Sequence, residues 1–154
     1  MTAYFDSSVI VALYHQEQHS PEARRAVTAQ ATVPFTMLLD LEVRTVFRRM
    51  VGSKLLTARE SAALLSQLDD DLASGRLMRP PLDFYAVFAG AEVLSALHAS
   101  RLLSRSLDTL HVAAALELGC TRFVTFDARQ ARLAEAAGLK ADQLAPRKAP
   151  SRRG

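Results

Sequence analysis

Apolar positions along the chain fall into short runs closed by an acid or a turn residue, separated by longer stretches with helical spacing. Residues 2–5 form an apolar strand closed by Asp6, and Ser7 or Ser8 can cap a helix over residues 9–16. Ser20-Pro21-Glu22 opens a second helix, with a cap, a proline in the first turn and early negative charge. A short strand is expected over 33–36, then a helix over 37–51 in which Leu38, Leu41, Val46 and Phe47 are apolar and Arg44 and Arg48 lie one turn apart. Thr57-Ala58-Arg59-Glu60 is a capping-box pattern that starts a helix running toward Ser74, with Gly75 as its stop. A strand over 76–79 ends at Pro80-Pro81, and Asp83 caps a long helix through His98.

The last third is the most regular. Residues 106–118 form a helix stopped by Gly119, and 122–126 are a β-branched and aromatic strand closed by Asp127. Residues 128–137 form a helix stopped by Gly138. Short apolar strands alternating with helices predict an α/β fold built on a parallel sheet. No internal repeat interrupts this order, so one domain is expected over 1–144. The segment 145–154, Pro-rich and basic, is expected to be a flexible tail.

Composition narrows the class. Hydrophobic residues make up 49% of the 154, enough for a real core. The start of the chain lacks a basic region followed by an apolar core, and no apolar run reaches membrane-spanning length, so a cytoplasmic protein without a membrane role is expected. Cys120 is the only cysteine and can neither form an internal disulfide nor anchor a zinc site by itself. The net charge of +3 biases the chain mildly toward polyanions, although Arg147, Lys148, Arg152 and Arg153 crowd the tail. No glycine-rich phosphate loop is present, which argues against nucleotide-cofactor chemistry.

Four acids carry the candidate chemistry. Tyr4-Phe5-Asp6-Ser7-Ser8 and Val124-Thr125-Phe126-Asp127 each deliver a carboxylate at the end of an apolar strand, just before a helix. In parallel α/β sheets, sites form at those strand ends. Either aspartate alone could simply cap its helix. Glu42 lies in the apolar stretch Leu38-Leu39-Asp40-Leu41-Glu42-Val43, and Asp108 opens the apolar helix Leu107-Asp108-Thr109-Leu110-His111-Val112. Acids in such company are seldom buried unless paired or bound to metal. Two carboxylates about 4 Å apart repel by roughly 4 kcal/mol at an effective dielectric of 20, so a cluster calls for a cation. All-oxygen ligands suit Mg²⁺ or Mn²⁺, which promote phosphoryl transfer.

In order and context these segments resemble the PIN-domain ribonucleases, specifically the VapC-type toxins of bacterial toxin–antitoxin pairs. The matching pieces are Tyr4-Phe5-Asp6-Ser7-Ser8, Glu42 in LEVRTVFRR, Ser106-Leu107-Asp108-Thr109-Leu110-His111-Val112-Ala113 and Val124-Thr125-Phe126-Asp127. They span the chain to about Leu139. The resemblance implies a parallel sheet flanked by helices on both faces, an α/β/α sandwich. It implies that Asp6, Glu42, Asp108 and Asp127 hold one or two Mg²⁺ or Mn²⁺ ions for cleavage of RNA, leaving a 5′-phosphate and a 3′-hydroxyl. Ser8 and Thr125 match polar positions beside the acids. A homodimer is implied, inhibited by a small cognate antitoxin through which promoter DNA is bound. Ala128, Arg129 and Gln130 stand where some members carry a further acid, which weakens a second metal.

Other polar residues rank lower. His111, one turn after Asp108, is read first as a packed or hydrogen-bonded structural histidine, and as a general acid or partner of a metal ligand second. Arg105 is a candidate contact for RNA phosphate. Asp69-Asp70-Asp71 is read as solvated surface, and Asp40 as no substitute for Glu42, since two residues along a helix nearly reverse the face. The competing function is a non-catalytic PIN-like module that binds RNA or a protein. A phosphotransfer fold is a third reading, but such phosphatases need a second aspartate where Ser8 stands.

Overall fold

The computed structural model describes residues 3–15 and 20–145. Residues 1–2, 16–19 (His19 among them) and 146–154 lie outside the described residues, and with them the expected ends of the first strand and first helix and nearly all of the expected tail. In chain order the elements are β1 (Ala3–Phe5), α1 (Ser7–Tyr14), α2 (Ser20–Thr28), β2 (Val33–Pro34), α3 (Met37–Gly52) and α4 (Ala58–Ala73). They continue with β3 (Leu77–Met78), α5 (Phe84–Leu102), α6 (Ser106–Glu117), β4 (Arg122–Thr125), α7 (Ala128–Ala136) and β5 (Lys140–Gln143).

All strand pairs are parallel, in two ladders: β1-β4-β5 and β2-β3. Ala3, Tyr4 and Phe5 are all buried although their side chains alternate between the sheet faces, as are Phe123, Val124 and Thr125. Burial of both faces means helices cover the sheet on either side, as a parallel sheet requires. The core joins these strands to Val9, Ile10, Leu39, Phe47, Val112 and Leu133. Among the described residues no helix is long and apolar enough to cross a membrane.

The helix ends follow local chemistry, with one correction. Asp6 itself, not Ser7 or Ser8, caps α1 by accepting the Val9 amide at 3.1 Å, so both serines sit inside the first turn. The Thr57–Glu60 capping box opens α4 and Asp83 caps α5 as expected, although α5 runs on past His98 to Leu102. Gly119 follows α6 at φ +65°, a left-handed turn that any side chain would strain. α5 and α6 approach closely at Gly90, where a Cβ would stand 3.6 Å from the Ala113 methyl.

Sequence periodicity does not predict β5. Its residues, Lys-Ala-Asp-Gln, lack an apolar alternation, because the strand lies at the edge of the ladder and needs no buried face. Backbone bonds to β4 hold it, helped by Arg122, whose Nε donates to Asp142 at 2.9 Å.

Candidate active site

Asp6 continues the β1 ladder by one residue: its amide donates to Val124 O at 3.1 Å, just past the Phe5–Val124 pair. Thr125 therefore stands opposite Asp6 with its side chain on the same face, and Asp127 follows two residues further on, past the end of β4. Thr125 Oγ1 donates to Asp6 Oδ2 and accepts the Asp127 amide at 2.9 Å. Ser8 Oγ donates to Asp6 Oδ1 at 2.6 Å while accepting the Phe126 amide at 3.2 Å. These two hydroxyls stitch the end of β1 to the end of β4. Asp6 is 2% exposed, and burial raises its carboxyl pKa above the usual range, against the lowering effect of bonds from Ser8, Thr125 and the Val9 amide.

Asp127 is set more loosely. Its Oδ1 caps α7, accepting the Arg129 and Gln130 amides at 2.7 and 3.2 Å, and its side chain keeps 35% of its exposure. Asp108 is buried at the third position of α6, where Oδ2 reaches back to the Arg105 amide at 2.8 Å. The Arg105 guanidinium spans both acids, with Nε 3.4 Å from Asp108 Oδ2 and Nη2 3.9 Å from Asp127 Oδ2. Its positive charge also reaches Glu42.

Glu42 projects from α3 and meets His111 on α6, with Glu42 Oε2 2.6 Å from His111 Nε2. Burial works to raise the Glu42 pKa. The hydrogen bonds from His111 and Ser7, with the charge of Arg105, outweigh it and hold the carboxyl below the ordinary range. Arg44 does not pair with Glu42. It binds Asp40 and Asp69, and Arg79 also reaches Asp40, so the buried Asp40 is satisfied by two arginines away from the site. The acidic run 69–71 is accordingly only partly solvated surface: Asp69 takes Arg44, Asp71 takes the Tyr14 hydroxyl, and Asp70 is exposed.

Thr125 thus ties Asp6 to the Asp127 amide, Arg105 links Asp127 to Asp108, and Glu42, held by His111, feels the charge of Arg105. The carboxylates do not yet close on one point: among the described residues no three His, Cys, Asp or Glu side chains converge as a metal-binding group. Asp6 turns its oxygens to hydroxyls and an amide, and a guanidinium lies between Asp108 and Asp127. The donor chemistry nonetheless fits a hard divalent cation, because the acids supply only oxygen and two of them already share one positive group. In the sequence His111 reads chiefly as structural, Ser7 only as a helix cap and Tyr4 only as part of a strand. The signal available was the spacing of His111 one turn from Asp108, which puts both on one helix face.

The fold has solved counterparts. The Mycobacterium tuberculosis VapC20 structure, described as a sarcin–ricin loop cleaving toxin, is 17% identical, with 93% of this chain and 100% of that chain covered and a TM-score of 0.68. VapBC2 from Rickettsia felis, bound to a DNA fragment from its promoter, is 14% identical over 93% and 98% of the two chains, with a TM-score of 0.65. FitAcB from Neisseria gonorrhoeae is 14% identical over 91% and 96%, with a TM-score of 0.64. At these identities the likeness is one of fold. No curated protein matches the chain by sequence. The family model for the PIN domain matches residues 3–136, which takes in all four acids, and the chain belongs to the PIN domain family.

Proposed function

We propose that the chain is a divalent-metal-dependent endoribonuclease, acting in the cytoplasm as the toxin of a toxin–antitoxin pair, with Asp6, Glu42, Asp108 and Asp127 as its acidic site. The observation that carries this reading is the linkage of the four acids: Arg105 bridges Asp108 and Asp127, its charge reaches Glu42, and Thr125 ties Asp6 to the Asp127 amide. Carboxylates so grouped need positive charge, and Arg105, exposed and loosely paired, is a side chain that another cation could displace. Asp108, Asp127, Glu42 and Asp6 would hold Mg²⁺ or Mn²⁺. When bound, the ion supplies Lewis acidity toward a phosphate oxygen and makes water a competent nucleophile near neutral pH.

The chain's own groups divide the remaining work. Ser8 and Thr125 hold the Asp6 carboxylate in place. Arg105, 67% exposed and released from Asp108 and Asp127, is placed to meet an RNA phosphate. Toxin action is supported by the fold shared with VapC20 and VapBC2, whose descriptions name a cleaving toxin and a promoter-bound complex. An antitoxin partner and a homodimer agree with the exposed apolar side chains Tyr85, Phe88 and Leu97 on α5 and Met37 and Leu41 on α3. Promoter DNA is then engaged only through the antitoxin. The domain is taken as 1–144, with 145–154 as a basic tail.

The test is cleavage by purified protein with Mg²⁺ or Mn²⁺. Asp6→Asn or Asp108→Asn should reduce RNA cleavage to background and relieve growth arrest while leaving the fold intact. Cleavage by either variant at the wild-type rate would sink the site assignment.

A second reading, a module that binds RNA or a protein without cutting, draws on one observation. Asp6, Asp108 and Asp127 all serve as helix-terminus ligands, and Arg105 already neutralises two of them. It predicts binding that survives EDTA and no cleavage with any divalent metal.

A further inference from the structure

The proposed chemistry uses four carboxylates and leaves His111 without a task. His111 lies one turn after Asp108 on α6 and is 2% exposed, yet both ring nitrogens are engaged. Nε2 is 2.6 Å from Glu42 Oε2, and Nδ1 is 2.8 Å from the Tyr4 hydroxyl. Tyr4 is buried on β1, two residues before Asp6, and its ring stacks on Phe123 with centroids 5.4 Å apart and planes 13° from parallel. A ring packed this way cannot follow a wandering partner. Its hydroxyl also lies 3.4 Å from Thr36 Oγ1, and Thr36 caps α3 by accepting the Leu39 amide at 3.2 Å.

The contacts form a closed circuit. α3 carries Glu42, the cap of α3 touches Tyr4, Tyr4 holds His111, and His111 returns to Glu42. One polarity uses every proton. Nε2 carries a hydrogen, because a bare lone pair 2.6 Å from a carboxylate oxygen would repel it. In the neutral ring Nδ1 accepts from Tyr4, whose phenol is kept protonated by burial. The Thr36 hydroxyl in turn donates to the Tyr4 oxygen. A carboxylate has lone pairs left after one such bond, so the contact orients Glu42 without closing it to a ligand.

Burying an imidazole between two polar partners costs desolvation that an aliphatic side chain would avoid. That cost is explained if the ring's work is to aim the carboxylate. We propose that His111, anchored by Tyr4, is a positioning residue that fixes the Glu42 carboxylate of α3 relative to Asp108 of α6, so that acids from two helices face one cation. The inference rests on the metal-dependent nuclease reading above.

Mn²⁺ titration calorimetry on the full-length protein without RNA tests it, paired with kcat and KM for RNA cleavage at saturating Mn²⁺. His111→Gln keeps a donor near the position of Nε2. His111→Asn keeps only the Tyr4 side of the bridge. Loss of such an outer partner typically weakens metal affinity or activity about 10- to 100-fold. His111→Asn should therefore bind Mn²⁺ at least about tenfold more weakly and lower kcat with little change in KM, and His111→Gln should recover most of both. Tyr4→Phe retains the ring stack and should give a smaller loss in the same direction, which supplies the answer if His111→Asn does not fold. Folded variants that all match wild type would overturn the positioning role and leave the nuclease reading standing. Equal losses in the Asn and Gln variants would also overturn it, since a role in packing alone is blind to the donor. Wild-type protein that neither binds Mn²⁺ nor cuts RNA would overturn both.

Discussion

The end of β1 and the end of β4 start from the same sequence logic, an apolar strand, an aspartate and a helix, and reach different physical states. Asp6 is on the ladder, buried, and its two oxygens take two hydroxyls and an amide. Asp127 lies two residues beyond the register position that matches Asp6, which Thr125 fills instead. That offset moves Asp127 toward solvent, where it caps α7 and touches only the exposed Arg105 across the site. One wall of the site is therefore rigid and pre-set, and the facing wall is adjustable. On the proposed reading, a site that admits a cation and a polyanion would benefit from this division, with one fixed acid setting the position and a looser one free to adjust to it.

Stability measurements test the contrast most strongly. Asp6→Ala removes a helix cap and strands the Thr125 and Ser8 hydroxyls at a buried strand end. We expect it to lower the unfolding free energy by about 2–3 kcal/mol in denaturant melts, with part of the loss offset by relief of a buried carboxyl. Asp127→Ala removes only a half-exposed cap and should cost about 1 kcal/mol. Equal losses would mean that the two strand ends are not mechanically distinct.

The same contrast explains how much could be read from sequence. The helices and the strands β1 and β4 were legible because each joins an apolar run to a cap or a stop residue, as at Thr57, Asp83, Gly119 and Asp127. β5 was not, because an edge strand of Lys, Ala, Asp and Gln carries no periodic signal and is specified by pairing with β4. The acids of the site stand out because charge in an apolar stretch is costly. Their inequality does not, because register is a property of two strands and neither shows it alone. The His111–Tyr4 bridge was hidden for the same reason: its partners are 107 residues apart, and a tyrosine in a strand reads as core. Asp40, set apart in the sequence because it lies on nearly the opposite helix face from Glu42, is claimed by Arg44 and Arg79.

The adjustable wall makes a gentler prediction. Arg105 spans Asp108 and Asp127 at distances long enough, and at an exposure high enough, for a weak ion pair. Arg105→Gln removes a resident cation that, on the proposed metal-dependent reading, would compete with a metal ion. Mn²⁺ affinity measured by calorimetry should tighten about two- to fivefold, the range of an exposed pair, while RNA binding weakens. Weaker Mn²⁺ binding in this variant would mean that the arginine organises the acids and does not compete for them, and the wall would then be as fixed as its neighbour.

The smallest effect is a matter of access at the start of β4, the strand to which the Asp6 wall is tied. Cys120 lies just before β4, is 5% exposed, and burial pushes its thiol pKa up to about 11. At pH 8 about one thiol in a thousand is then ionised, and that thiolate is also shielded from reagent. A chromogenic disulfide reagent should label native protein far more slowly than protein unfolded in guanidinium. Because β4 is anchored to β1 through Thr125 and Asp6, the labelling rate reports opening of that wall. Asp6→Ala should raise the native labelling rate in proportion to its loss of stability, and Asp127→Ala should leave it nearly unchanged. Labelling that rises equally in both would place the coupling in α7 and β5, which pack on the other side of β4, and would assign the rigidity of the site to the sheet as a whole.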